Sequence, residues 1–254
     1  MSGKPISFDL TGRHAVVTGG NSGLGHGITE GLLHAGADVT IFARSPLPDD
    51  LQNLAASLGR TIEARPVDLA DAERTREAAV SLLNQQQVDI LVNNSGGQRR
   101  HPAIDFPLDD FDYVMNVNLR SVFVLCQTFG RPMLERRDGK IINVASLLSF
   151  QGGVRVPAYA ASKGALAQLT KALCNEWASS GVNVNAIAPG YMDTRLNAAL
   201  MDDSERFRQI SERIPAGRWG EATDVAGAVV FLASTASNYI NGAVLPVDGG
   251  WLSR

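Results

Sequence analysis

Residues 14–44 read HAVVTGGNSGLGHGITEGLLHAGADVTIFAR. The apolar run His14 to Gly20 is a strand that ends in a turn. Gly25 to Ala37 has the spacing of an amphipathic helix, and Asp38 to Arg44 is a second apolar run. Two strands separated by one helix form a βαβ unit, because parallel strands need a crossover of this length.

The same alternation continues to the end of the chain. Further strands are expected at Thr61 to Leu69, Val88 to Gly96, Gly139 to Ser146, Val182 to Gly190 and Ala243 to Gly250. Helices are expected through DDLQNLAASLG, at Asp71 to Gln87, Leu108 to Leu134, Gly152 to Trp177 and Thr223 to Ser234, with a polar helical segment at 194–214. Near-continuous apolar strands belong to a parallel sheet covered on both faces. The fold class is therefore α/β: a single Rossmann-type, doubly wound parallel sheet of about seven strands. No linker, repeat or low-complexity tract interrupts it. One catalytic domain over 1–254 is expected, with a lid near 191–214. Such sheets bind ligands outside the carboxyl ends of their strands.

Composition narrows the function. The chain has 254 residues, 44% hydrophobic and 19% charged, with a net charge of −3. That is ordinary for a soluble domain with a full core. A net negative charge and scattered basic residues argue against nucleic acid. Cys126 and Cys174 lie far apart in apolar surroundings and read as buried thiols, with no metal expected. The opening stretch 1–14 has no apolar h-region, and no run approaches a membrane span. A cytoplasmic protein with no membrane partner is expected.

Thr18 to Gly25, TGGNSGLG, lies between the first strand and the first helix. In that context glycines make a phosphate cradle: Gly19 for the tight turn, Gly23 and Gly25 where a pyrophosphate approaches the helix N-terminus. A carboxylate at the end of the second strand would bind ribose hydroxyls. This chain has Phe42, Ala43, Arg44 and Ser45 there. Arg44 suits a 2′-phosphate, which favours NADP(H), with NAD(H) possible. The other reading is an arginine stacked on adenine without phosphate preference. Asp68 is placed for the adenine amino group. Asn93, Asn94, Ser95 and Gly96 end the fourth strand and shape the same cleft.

The helix beginning near Gly152 carries Tyr159 and Lys163 four residues apart, hence on one face. Taken alone, the pair reads as a snorkelling lysine beside a surface tyrosine. The ordered set of motifs changes that reading. Thr18 to Gly25, Asp68, Asn93 to Gly96, Asn118, Ser146, Tyr159-x-x-x-Lys163 and Pro189-Gly190 together resemble the short-chain dehydrogenase/reductase family over nearly the whole chain. Ser95, where the family usually has alanine, is a small-for-small departure. Within the family, IINVASLLSFQGGVRVPAY, NVNAIAPGYM, RIPAGRWG and VDGGWLSR are similar to the enzymes acting on 2-dehydro-3-deoxy-D-gluconate and gluconate, a group usually associated with NAD(H). The stretch DTRLNAALMDD is less like that group.

The resemblance implies an NAD(P)-dependent oxidoreductase interconverting a secondary alcohol and a ketone on a keto or hydroxy acid. It implies Tyr159 as general acid/base, Lys163 lowering the phenol's pKa, Ser146 on the reacting oxygen, and Asn118 anchoring a water that relays protons. The implied coenzyme site is Gly19, Asn21, Ser22, Gly23, Leu24, Gly25, Arg44, Asp68, Leu69, Asn94, Ser95, Gly96, Tyr159, Lys163, Pro189, Gly190, Met192 and Thr194. Substrate is expected at Ser146, Tyr159, Tyr191 and a carboxylate-binding arginine among Arg99, Arg100 and Arg155. For each arginine, plain surface solvation is the other reading. The family also implies a homotetramer. A 3-oxoacyl carrier-protein reductase or other ketone reductase stays open as an alternative, with a non-catalytic cofactor-binding protein behind it.

Overall fold

The computed structural model describes residues 6–194 and 197–254. The chain runs β1 (His14–Thr18), α1 (Gly23–His34), β2 (Asp38–Ala43), α2 (Asp49–Leu58), β3 (Ile62–Pro66), α3 (Ala72–Leu83) and β4 (Ile90–Asn93). It continues with α4 (Leu108–Met115), α5 (Ser121–Arg136), β5 (Gly139–Val144), α6 (Pro157–Trp177) and β6 (Val182–Pro189). Then come α7 (Ala198–Met201), α8 (Ser204–Arg213), α9 (Ala222–Ala233) and β7 (Val244–Val247). The seven strands form one sheet in the order β3-β2-β1-β4-β5-β6-β7, and every pairing is parallel. The strand order reverses between β1 and β4. A crevice opens there, at the carboxyl ends of the strands.

The apolar strands serve two cores. Ala15, Val17, Val92, Ile142 and Ile187 join Ile28 and Leu32 of α1, Leu51 of α2 and Val225 and Val229 of α9. Val16, Leu91, Ile141 and Val184 join Leu82 of α3, Leu125 and Phe129 of α5 and Leu166 of α6. Side chains alternate across a strand with period two, so two buried faces require a continuous apolar run. Local signals set the helix starts. The Asp71 carboxylate accepts from the Glu73 and Arg74 amides, both at 3.0 Å, and caps α3. Pro157 opens α6, where its missing N–H costs nothing.

Among the boundaries that differ from the sequence expectation, four have a clear local cause. The expected helix 108–134 is broken by a π-helical turn at Asn116–Arg120, because Asn118 turns inward to bind Gly97. Such turns insert one residue into a helix and gather at functional sites. The strand expected to Gly96 stops at Asn93. Beyond it the Asn94 and Ser95 amides, both at 2.9 Å, turn to the Thr18 hydroxyl. The third strand stops at Pro66 on the sheet edge, leaving Asp68 in a loop. The helix expected from Gly152 begins at Pro157, because Arg155 is in the left-handed region at φ 64°.

Among the described residues, no helix is long and apolar enough to cross a membrane, and no cluster of side chains suits a metal. Of the expected lid at 191–214, residues 195 and 196 lie outside the described residues, as do 1–5 of the opening stretch.

Candidate functional site

The turn after β1 is built to leave space. Gly19 and Gly23 have φ values of +63° and +52°, which side chains disfavour. Ser22 caps α1 without using its hydroxyl, and the first-turn amides of a helix have no intrahelical acceptor. Gly25 plays a different part from the one expected of it. It does not line the cavity; a Cβ there would collide with the Gly19 carbonyl, so its role is to let α1 press against the turn. Asn94 supports the turn from below, its Nδ2 donating to the Thr18 carbonyl at 2.9 Å and the Gly19 carbonyl at 3.3 Å. Asn21 Nδ2 donates to the Ser45 and Pro46 carbonyls at 3.0 and 3.2 Å, tying the turn to the loop after β2. Asn93, by contrast, is buried within the sheet and donates to Asn143 Oδ1 at 2.9 Å.

A cavity of about 820 Å³ extends from this turn to the far side of β5 and α6. One end is lined by Gly19, Asn21 to Leu24, Arg44, Asp68 and Leu69, and the middle by Asn94, Ser95 and Gly96. The other end holds Ser146, Tyr159, Lys163, Pro189, Gly190, Tyr191, Met192 and Thr194. The Arg44 guanidinium is exposed and has no protein partner among the described residues. A side-chain-free turn, unbonded helix amides and a free cation fit the phosphates and adenosine end of a dinucleotide.

Ser146, Tyr159 and Lys163 meet at the far end. The Ser146 hydroxyl follows β5, accepts from the Leu148 amide at 3.2 Å and is hydrogen-bonded to the Tyr159 phenol. Lys163 is 3% exposed; its Nζ donates to the Val144 carbonyl at 2.6 Å and lies 5.7 Å from the Tyr159 ring centroid. Desolvation raises the Tyr159 pKa above its ordinary value, and the Ser146 hydrogen bond opposes this. Desolvation also pushes Lys163 down to about 8. The phenol thus stands above its ordinary value, where a lowering by the ammonium is expected from the sequence. Burial favours the neutral form of each group.

Asn118 is fully buried and does not reach the cavity wall. Its Oδ1 accepts from the Gly97 amide at 2.7 Å; its Nδ2 donates to the Gly97 carbonyl and the Ser162 hydroxyl, both at 3.0 Å. The side chain fastens the loop after β4 to α6.

Of the three expected arginines, only Arg100 lines the cavity. Arg99 is drawn aside by Asp110 at 3.1 Å and stacks on Tyr113, 4.2 Å from its centroid. Arg155 is exposed on its left-handed loop, outside the cavity, its carbonyl accepting from the His101 amide at 3.1 Å. Sequence reasoning missed Gln98, Tyr113, Gln151, Arg206, Arg213 and Trp251, all of which line the wall. For Arg206 and Arg213 a signal existed: seven residues apart, they share one face of α8.

Comparison with known proteins agrees with this geometry. A family described as enoyl-(acyl carrier protein) reductase matches residues 19–252. The 2-dehydro-3-deoxy-D-gluconate 5-dehydrogenase of Bacillus subtilis is 51% identical over 248 residues, 98% of each chain. A solved Agrobacterium tumefaciens structure, described as a 2-deoxy-d-gluconate 3-dehydrogenase with bound NADP, is 50% identical. It covers 97% of this chain and 99% of its own, with a TM-score of 0.91. A gluconate 5-dehydrogenase from Burkholderia cenocepacia, in complex with NADP and tartrate, is 40% identical. It covers 97% and 98% of the two chains, with a TM-score of 0.90.

The burial of Lys163 makes a direct prediction. In the coenzyme-free protein its ammonium is charged below pH about 8 and neutral above, whereas a free lysine holds its proton to about 10.4. With only four lysines in the chain, labelled ε-methylene groups resolve in an NMR titration, and Lys163→Met assigns the peak. An ordinary lysine midpoint for that peak would contradict the burial argument.

Proposed function

We propose that this chain, a member of the short-chain dehydrogenase/reductase family and an NAD(P)-dependent oxidoreductase, interconverts a secondary alcohol and a ketone on a six-carbon sugar acid, 2-dehydro-3-deoxy-D-gluconate or gluconate. The observation that carries this reading is the convergence of Ser146, Tyr159 and Lys163 on one wall of a cavity whose far end is the glycine turn. The names of the full-length relatives support the substrate.

Gly19, Asn21 to Leu24, Arg44 and Asp68 would hold the adenosine and phosphates of a nicotinamide coenzyme, and Lys163 and Pro189 to Met192 the nicotinamide end. When bound, the coenzyme supplies hydride exchange with the substrate carbon. The chain's own residues handle the proton. Ser146 holds the reacting oxygen beside the Tyr159 phenol. Tyr159 accepts the hydroxyl proton in oxidation and returns it in reduction. Alone, each of the two buried groups resists charge; a phenolate beside the Lys163 ammonium offsets both penalties by mutual attraction. Asn118 acts at one remove, keeping Gly97 and α6 in register.

The remaining assignments belong to the same proposal. Arg44 favours NADP(H), because nothing acidic at the end of β2 repels a 2′-phosphate; relatives solved with NADP support this. A homotetramer is supported by the apolar side chains that α4, α5 and their neighbours leave exposed: Ile104, Leu108 and Phe123. The competing assignment, an acyl-thioester ketone reductase, is separated by substrate.

Four outcomes are expected. Tyr159→Phe lowers turnover by about 10²–10⁴-fold, the usual share of a general acid/base, with coenzyme binding retained in fluorescence titration. The test panel is 2-dehydro-3-deoxy-D-gluconate and D-gluconate oxidation against 3-oxoacyl thioester reduction; faster turnover of the thioester would overturn the sugar-acid reading. Wild type uses NADPH at least as well as NADH, and Arg44→Ala weakens NADPH alone by about 1.5–3 kcal/mol. The readout is kcat/KM for both coenzymes in both proteins. Light scattering at micromolar concentration gives the mass of four chains, and a monomer would remove the tetramer from the proposal.

A further inference from the structure

Helix α8 divides its charges between two faces. Its sequence SERFRQISER holds three arginines. Arg208 lies off the cavity wall and pairs with Glu205 at 2.9 Å and Glu212 at 2.7 Å. Arg206 and Arg213 line the cavity together with Gln209 and Ile210, the spacing of one helix face. Neither has an acidic partner among the described residues. Arg206 Nη1 donates only to Gln209 Oε1, at 3.3 Å. The Arg213 guanidinium lies 3.8 Å over the Trp251 ring. Stacking occupies the face of the guanidinium and leaves its N–H edge free for a planar anion.

The helix is also fixed relative to the reacting end. Ile210 and Ile214 pack with Leu147 and Trp251 in one cluster, and Leu147 directly follows Ser146. Trp251 is 3% exposed, and its Nε1 donates to Gln151 Oε1 at 3.3 Å. Arg213 therefore rests on a side chain that is itself anchored beside the loop carrying Ser146. Arg100, Arg206 and Arg213 are all exposed, but Arg100, on the loop after β4, has no such anchor among the described residues. A stacked, pre-oriented fork loses less entropy on gripping a carboxylate than an unstacked one.

We infer that Arg213, held flat on Trp251, binds the substrate's carboxylate, and that Arg206 on the same face reinforces it. This rests on the sugar-acid reading and adds to it a specificity residue from the lid. A neutral polyol of the same length gains nothing from either arginine. The acid gains a charge-assisted, two-point contact.

The test compares D-gluconate and 2-dehydro-3-deoxy-D-gluconate with D-glucitol, which carries a hydroxymethyl group in place of the gluconate carboxylate. In Arg213→Gln the KM for the better acid rises about 10- to 100-fold, the loss of a charged hydrogen bond. Its kcat at saturation, the coenzyme KM and the rate on D-glucitol stay as in wild type. Arg213→Lys recovers part of the KM. Arg206→Gln shows a smaller rise in the same direction and supplies the readout if Arg213→Gln is not recovered folded. Arg208→Gln, on the outer face, changes neither substrate. An unchanged KM for the acid in both glutamine variants overturns the inference and leaves the sugar-acid reading standing. Equal losses on acid and polyol also overturn it, since they mark a packing role through Trp251. A wild type without preference for either acid over D-glucitol removes the sugar-acid reading and this inference together.

Discussion

Gly25 has no room for a side chain. A Cβ there would overlap the Gly19 carbonyl and crowd the Asn94 amide. That one close approach lets α1 descend onto the turn after β1, so that its first amides face the crevice rather than solvent. The crevice exists because the strand order reverses between β1 and β4. The turn is then fastened by side chains borrowed from the strands on either side. The Thr18 hydroxyl receives the Asn94 and Ser95 amides, and Asn94 returns a hydrogen bond to the Thr18 carbonyl. A loop that must present bare backbone to an anion cannot stabilise itself with its own side chains. Its rigidity comes from neighbours, which is why polar residues cluster at the end of β4.

The far end of the cavity solves a different problem, keeping two titratable groups dry and in place. Lys163 is held by the Val144 carbonyl of β5, while its own carbonyl accepts from the Ser149 hydroxyl at 2.7 Å. Ser162, its neighbour, meets Asn118 across the π-helical turn. Strand β5, the loop of Ser146 and helix α6 thus form one hydrogen-bonded unit. A buried amide such as Asn118, with both donors and its acceptor used, adds rigidity that a half-satisfied one would not. The π-helical turn is the local adjustment that lets Asn118 point inward while α4 and α5 keep their apolar faces on the core.

Much of this was legible in the sequence because each piece has a local cause. Alternating apolar runs and helical spacing specify a two-faced parallel sheet, and the glycine turn specifies its crevice. Tyr159 and Lys163 share a face by spacing alone. What was not legible depends on side-chain choice between partners. Arg99 and Arg100 are adjacent and chemically identical, yet Asp110 and Tyr113 claim the first and leave the second in the cavity wall. Spacing cannot see an acid eleven residues away. Arg155 is absent from the wall although Gly152 to Val154 and Val156, on either side of it, line the cavity, a local backbone outcome at φ 64° that spacing does not encode. Trp251 lies in a segment with no periodicity to read, and only its packing with Leu147 and Ile210 brings it to the site. The Tyr159 phenol lies above its ordinary pKa because its burial, invisible in sequence, disfavours the phenolate.

The charge on the molecule and the charge in the cavity have opposite signs. The chain carries a net −3, yet among the described residues Arg44, Arg100, Lys163, Arg206 and Arg213 line the cavity against the carboxylate of Asp68 alone. Within a cleft of low-dielectric walls such an imbalance focuses the field and draws anions inward. The outer face of α8 shows that acidic residues were available to neutralise it: Glu205 and Glu212 are spent on Arg208 and solvent. At one end the positive field suits phosphate. At the other it suits a ligand that is itself an acid. An acyl-chain substrate would set an apolar ligand against the α8 cations and displace part of their water without recompense. The same two ends also explain the split in rigidity. The phosphate end is built on backbone and sheet, where position matters to a fraction of an ångström, while the acid end is carried by a helix beyond the sheet, free to vary with the substrate it must read.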